Sequence, residues 1–204
     1  MISNSGKSSL ILTLLHLLDY SGSVAIDGIE ISHITRQQLR SRITTIPQDP
    51  IELSGSIRKN LNPYDISVSR SNRLINDDFA MREALSRVGI LEHISSHGGL
   101  DAELSAVGLS QGQKQLLCLA RAVLHNARTG SRIILADEAT SNVDHETDAQ
   151  MQAVMAEAFS GCTVITVAHR LETIQDVDVV LELEAGRLNG QTRRQKTDCA
   201  GSEG

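Results

Sequence analysis

The sequence predicts an α/β fold with a mostly parallel sheet and an inserted helical region. Three observations carry this. Short apolar runs of strand length alternate with segments of helical periodicity. A Ser-Gly-Lys-Ser-Ser run (residues 5–9) opens directly onto an apolar helical segment. The apolar run Arg132–Ala136 ends in two acids, Asp137 and Glu138.

The expected strands are Val24–Ile26, Ile43–Ile46, Arg132–Ala136 and Thr163–Ala168. A fifth, Val179–Leu183, precedes Glu184-Ala185-Gly186-Arg187-Leu188, which reads as a turn into a short return strand. Helices are expected between them. Leu116, Leu117, Leu119, Ala120, Val123 and Leu124 form one apolar face, and Met151, Val154, Met155, Ala158 and Phe159 another. Residues 50–125 carry helical patterns (Asp77–Val88, Gln111–Asn126), turns (Asn62-Pro63, Gly98-Gly99) and no strand pattern. They are expected to form a helical subdomain within one domain spanning 1–189. The polar tail 190–204 is expected to be disordered.

Leu10–Leu18 could pass for a secretory leader. Thr13 and His16 interrupt it, one positive charge precedes it and no small-residue cleavage site follows. It is too short to span a bilayer, so it reads as a buried helix. Aromatic residues make up only 2% of the chain, so aliphatic side chains must build the core. A net charge of −6 argues against a nucleic-acid partner, which calls for a basic face. The three cysteines, Cys118, Cys162 and Cys199, are far apart and read as reduced thiols.

The 5–9 run has the composition of a phosphate-binding loop. Small residues (Ser5, Gly6) let backbone N–H groups approach phosphate oxygens. Lys7 supplies a cation for the β and γ phosphates, Ser8 a hydroxyl for Mg²⁺, and Ser9 continues into a helix whose N-terminus attracts an anion. Taken alone, the run fits a serine-capped helix N-terminus equally well. The full pattern would place its first glycine at position 1, which is Met. The acids at 137 and 138 fit a metal-holding carboxylate followed by one that polarises water; a strand followed by a helix cap is the plainer alternative.

Further motifs fall in one order: Ile46-Pro47-Gln48-Asp49-Pro50, Leu109-Ser110-Gln111-Gly112-Gln113-Lys114-Gln115-Leu116, Asp137-Glu138-Ala139-Thr140, Ser141-Asn142-Val143-Asp144 and Ala168-His169-Arg170. From residue 5 to about 188 the chain resembles the nucleotide-binding domain of ATP-binding-cassette (ABC) transporters, a P-loop NTPase fold. The stretch Leu53–Pro63 further resembles the second cassette of the multidrug-resistance-associated exporters, and Glu138 stands where the first cassette of that branch typically carries Asp.

The resemblance implies roles by position. Ser5, Gly6, Lys7, Ser8 and Ser9 would cradle the phosphates of ATP. Ser8, Gln48 and Asp137 would face Mg²⁺, Asp137 through water. Glu138 would be the general base, and His169 would hydrogen-bond the γ-phosphate. Ser110, Gly112 and Gln113 would contact the ATP of an opposing cassette, with Asp144 at the interface. Ser110-x-x-Gln113 is also a capping box, which starts a helix with or without a ligand. Gln111, Lys114 and Ala136 depart from the usual family residues, and none of these removes a ligand. The implied partners are a second nucleotide-binding domain and transmembrane domains, with the chain on the cytoplasmic face of a membrane.

The adenine-stacking aromatic, the first antiparallel strands and the strand leading into the phosphate loop have no counterpart in residues 1–204. That last strand would lie between Thr163–Ala168 and Val179–Leu183. The expectation is therefore a truncated form, short of sheet hydrogen bonds and impaired in folding and hydrolysis by itself. Two other functions compete: a soluble, non-transport ATPase of the same superfamily, and a non-catalytic remnant. The exporter-like Ile46–Pro63 stretch opposes the first, and MgATP binding separates the second.

Overall fold

The structure, a computed structural model, describes residues 5–63, 73–137, 143–168 and 177–193. Backbone contacts divide the chain into two units, Ser23–Thr166, and Met1–Gly22 with Val167–Gly204.

The larger unit opens with a hairpin of β1 (Ala25–Ile26) and β2 (Ile29–Glu30), antiparallel. Its turn, Asp27-Gly28, has φ of 50° and 78°, and this positive-φ Asp-Gly pair suits the right-handed strand twist. A short helix α2 (Arg36–Arg40), started by a Thr35/Gln38 capping box, leads to β3 (Ile43–Ile46). The unit's sheet runs in the order β3-β4-β5, with β4 at Ile133–Asp137 and β5 at Thr163–Val167. Strands β3 and β4 are parallel and in register from Ile43↔Ile133 to Ile46↔Ala136. Ile134, Leu135 and Ala136 are buried, as a central strand of continuous apolar character requires.

Between β3 and β4 lie α3 (Ile57–Leu61), α4 (Arg73–Arg87), α5 (Leu91–Ser96), α6 (Leu104–Val107) and the long α7 (Gln111–Thr129), the expected helical region. Helix α7 buries Leu116, Leu117, Leu119, Ala120, Val123 and Leu124, all six positions of its predicted face. Helix α8 (His145–Ala158) buries Met151 and Met155, and Phe159 follows them into the same core. Full burial of one such aliphatic side chain contributes about 1.5–3 kcal/mol. A half-exposed ion pair such as Arg87–Glu83, at 2.9 Å, contributes about 0–1 kcal/mol, so apolar burial decides this packing.

One buried polar residue organises the segment after β3. Asn60 is fully buried; its Oδ1 accepts from the Leu53 amide at 2.8 Å, and its Nδ2 donates to the Leu53 carbonyl at 2.8 Å and the Ser56 carbonyl at 3.0 Å. Replacement by Ala strands two backbone groups, the Leu53 N–H and carbonyl, each at about 1–3 kcal/mol, while the Ser56 carbonyl keeps the Asn60 N–H at 3.0 Å. Asn60→Ala is expected to destabilise this unit by about 3 kcal/mol, read as a lower denaturant midpoint. A loss under 1 kcal/mol would show that water replaces the amide.

A second polar cluster lies under the sheet. His125 Nδ1 lies 3.0 Å from the Thr44 hydroxyl, which also contacts the Ser131 hydroxyl. Burial holds the His125 imidazole below its ordinary pKa. The unfolded chain therefore takes up this proton first as pH falls through about 6.5. Below that value and down to the folded pKa, the unfolded state binds more protons, so stability falls with falling pH. The denaturant midpoint is expected to be lower at pH 5.5 than at pH 7.5, with a smaller difference in His125→Gln. An unchanged difference in the variant would assign the effect to other groups.

The smaller unit holds α1 (Lys7–Leu14) and the antiparallel hairpin of β6 (Val179–Glu184) and β7 (Arg187–Arg193). Two expectations are corrected here. The apolar segment is not a buried helix through Leu18. Helix α1 ends at Leu14 in a Schellman motif: Leu17 N–H bonds the Leu12 carbonyl at 2.8 Å and His16 N–H that of Thr13 at 2.9 Å, with His16 at φ 52°. Only Ile11 is buried, while Leu10, Leu12, Leu17 and Leu18 are exposed. A helix apolar on all sides needs cover on all sides, and here one side has it. The second correction concerns the tail. Residues 190–193 are not disordered: the return strand pairs up to Val179↔Arg193, since ladder hydrogen bonds need no apolar side-chain pattern. The rest of the tail lies outside the described residues.

Strand β5 pairs with β4 and β6 with β7, in separate sheets.

Candidate functional site

In the smaller unit the phosphate-loop run starts a helix. Gly6 is the N-cap of α1, with φ 87°, a left-handed conformation that glycine adopts without steric cost. A Cβ there would lie 3.2 Å from the Gly186 Cα, and the Gly186 N–H donates to the Ser5 carbonyl at 3.2 Å. The hairpin turn thus supports the loop. Lys7 Nζ donates to Ser5 Oγ at 2.9 Å, which folds the cation back over the loop. Ser8 and Ser9 are exposed in the first turn. That turn carries no acidic side chain, so no carboxylate of its own opposes a phosphate at the positive end of the helix.

In the larger unit, parallel pairing brings two candidates to one sheet edge. Because Ile46 stands opposite Ala136, Gln48 and Asp137 both emerge at the C-terminal edge of β3 and β4, where ligands of open α/β sheets bind. Asp137, the last residue of β4, is half-buried, and Gln48 is exposed. Hydroxyl, amide and carboxylate oxygens are the hard donors that Mg²⁺ takes, and phosphates and water supply the remainder of its shell. Gln48 and Asp137 at this edge carry such oxygens, and in the smaller unit Ser8 carries another. Among the described residues no group of three or more His, Cys, Asp or Glu could hold a metal ion.

The signature turn is built at the N-terminus of α7. Ser110 is its N-cap: Ser110 Oγ accepts from the Gln113 N–H at 3.2 Å, and Gln113 Oε1 accepts from the Ser110 N–H at 2.9 Å. The capping box read from the sequence is therefore formed, and the amides of Gln111 and Gly112 stand at the same positive helix end. The N-terminus of α8 abuts it. Asp144 caps α8 by accepting the Thr147 N–H at 3.0 Å and the Thr147 hydroxyl at 2.8 Å. The backbone bond from Thr147 first, then its hydroxyl, hold the Asp144 carboxyl below its ordinary pKa. A Cβ on Gly112 would lie 3.1 Å from Thr147 Oγ1 and 3.6 Å from Asp144 Oδ2. Gly112 is thus the residue that lets the two helix ends approach.

Glu138 and His169 lie outside the described residues. Two residues without a role in the sequence reading belong to this region. Thr147 sits between Asp144 and Gly112. Gln115, buried within α7, donates from Nε2 to the Pro47 carbonyl at 2.9 Å. A polar residue directly before the apolar run Leu116–Leu119 was the signal available for Gln115; Thr147 offered none.

Residues 3–141 match the ABC transporter family. The chain is 47% identical over 185 residues to ABC multidrug transporter B of Aspergillus fumigatus, an alignment covering 90% of this chain and 12% of that protein. It is 43% identical over 187 residues to ATP-binding cassette sub-family C member 10 of Mus musculus, covering 90% and 12%. The structure of a bacterial Atm1-family ABC exporter with ATP bound aligns with a TM-score of 0.78 at 32% identity, covering 93% of this chain and 32% of that one. The chain spans about an eighth of the length of these two curated relatives. Among the described residues no helix is long and apolar enough to cross a membrane. With a parallel-stranded core, a lysine-bearing loop at the head of α1 and this breadth of similarity, the chain belongs to the ABC transporter family.

Proposed function

We propose that this chain binds MgATP and, paired with a second nucleotide-binding domain, hydrolyses it to drive export through transmembrane domains, on the cytoplasmic face of a membrane. The branch we assign is the second cassette of the multidrug-resistance-associated exporters. The observation that carries the reading is the signature turn. Ser110, Gly112 and Gln113 form a capped N-terminus on a 19-residue helix, a shape that attracts phosphate and has no purpose in a phosphate-loop kinase.

The roles are carried over by position from the family resemblance, and the chemistry of each residue type supports them. Ser5, Gly6, Lys7, Ser8 and Ser9 bind the β and γ phosphates of the chain's own ATP. Ser8, Gln48 and Asp137 hold Mg²⁺, which neutralises phosphate charge when bound. Glu138 directly follows the last residue of β4 and accepts the proton of the attacking water. His169, shortly after β5, donates to the γ-phosphate. Ser110, Gly112 and Gln113 offer donors to the ATP of the opposing domain, and Asp144 sets the spacing of that contact. The experiment is MgATP titration calorimetry together with phosphate release, comparing wild type with Lys7→Ala. Equal binding in both would defeat the reading in favour of a non-catalytic remnant.

A further inference from the structure

Helix α7 does more than present the signature turn. One stripe of its surface holds the segment that carries Gln48. Lys114 Nζ lies 2.8 Å from Glu52 Oε1. Gln115 Nε2 donates to the Pro47 carbonyl at 2.9 Å. Arg121 donates from its guanidinium to the Ile51 carbonyl at 3.0 Å and to the Asn60 carbonyl. Positions 114, 118 and 121 share one helix face at spacings of four and three, and Cys118 lies between the two cations on it.

Of these contacts, the one from Gln115 falls on the carbonyl of the residue directly before Gln48. The Gln115 residue is 2% exposed, so its donor is shielded from water on the helix side of a half-buried acceptor. Proline has no N–H, so the carbonyl is the only backbone hydrogen-bonding group Pro47 has. The Pro47 carbonyl and the Gln48 nitrogen belong to one planar peptide unit. Holding that oxygen therefore fixes the plane from which the Gln48 side chain departs. Gln115 lies about one helical turn from Gln111, on the same rigid element as the Ser110 cap. The Lys114 and Arg121 contacts reach residues further along the loop and hold it on the helix without setting the peptide at Gln48.

We propose that Gln115 is a positioning residue that couples Gln48 to the signature turn, so that the two nucleotide-facing groups move as one body. The inference rests on the ATPase function proposed above. A shift of α7 when the opposing ATP engages Ser110–Gln113 is then transmitted to the peptide before Gln48 through the Gln115–Pro47 hydrogen bond. The effect is expected in turnover, because affinity for the chain's own ATP resides in the phosphate loop.

The test uses this chain paired with the second nucleotide-binding domain proposed above. Gln115→Met keeps the side-chain length and removes the donor. It is expected to lower kcat about tenfold with KM for ATP changed by less than about twofold, a coupling within the usual range. Gln115→Asn, whose amide is one methylene short of Pro47, is expected to do the same and serves if the Met variant does not fold. The decisive comparison is a double-mutant cycle with Gln48→Ala. If Gln115 acts through Gln48, either Gln115 variant causes no further loss of kcat in that background. Losses that multiply, or an unchanged kcat in the single variant, overturn the inference while leaving the ATPase reading intact. A wild-type protein lacking Lys7-dependent hydrolysis overturns both.

Discussion

Glu138→Gln is expected to lower ATP hydrolysis by about 10²–10⁴-fold while leaving MgATP affinity within about twofold of wild type, the range for loss of a positioned general base. The substitution keeps size and hydrogen-bonding reach and removes only the ability to take a proton. Asp137, the neighbouring acid at the end of β4, is unaltered, so under the proposed roles binding is expected to be preserved. With hydrolysis blocked and both nucleotide sites filled, the pair of domains is expected to accumulate in the closed form. Phosphate release and ATP titration measure the two quantities separately, and crosslinking across the pair reports closure. Turnover at the wild-type rate would remove Glu138 from the role of base and pass it to another group near the γ-phosphate.

Lys7→Ala is expected to weaken MgATP binding by about 10–100-fold, and to reduce hydrolysis with it. Hydrogen bonds to charged groups contribute about 1.5–3 kcal/mol each, which is one to two decades in Kd. The structure makes this substitution a clean one. The Lys7 ammonium contacts Ser5 Oγ within its own loop. Its removal is therefore expected to leave the thermal midpoint within a few degrees of wild type. Calorimetric titration at constant ionic strength measures the loss. Lys7→Arg is expected to recover less than the full affinity, because a planar fork does not replace a compact ammonium among closely spaced phosphate oxygens. Unaltered affinity in Lys7→Ala would mean that the run at 5–9 is a capped helix start and nothing more.

The two predictions draw on different kinds of information. Glu138 is argued from its place in an ordered set of motifs and from the strand that ends one residue before it. Lys7 is argued from a described loop, with Gly6 in a left-handed conformation and the Ser5 carbonyl tied to the β6–β7 turn. Asn60 and His125 test a third property, the polar groups that the core encloses, and their effects appear in stability and not in turnover.

Much of the larger unit was legible in the sequence because local pattern and burial agree there. The apolar face of α7 follows from 3.6-residue spacing, and each of its six predicted positions is buried. Strand β4 was read from a continuous apolar run, and the turn at Ala185-Gly186 from glycine beside the end of a strand. The capping box at Ser110 and Gln113 formed as read, since both bonds are made within four residues of chain. Where local pattern and tertiary setting disagree, the reading failed. Leu15 to Leu18 have helical composition, yet the chain turns at His16, and Leu17 and Leu18 after it are exposed. Residues 190–193 have no strand pattern, yet they are held by the ladder to β6.

The sequence by itself determined the class of fold, the family resemblance and the order of the phosphate-facing motifs, because each is written in spacing along the chain. Only the tertiary structure decided which residues connect those motifs. Gln115 and Pro47 are far apart in sequence and meet because α7 packs beside the C-terminal end of β3. Thr147 meets Gly112 because two helix N-termini converge where glycine leaves room. Such contacts depend on the packing of whole elements, and the pattern within any one element does not contain them.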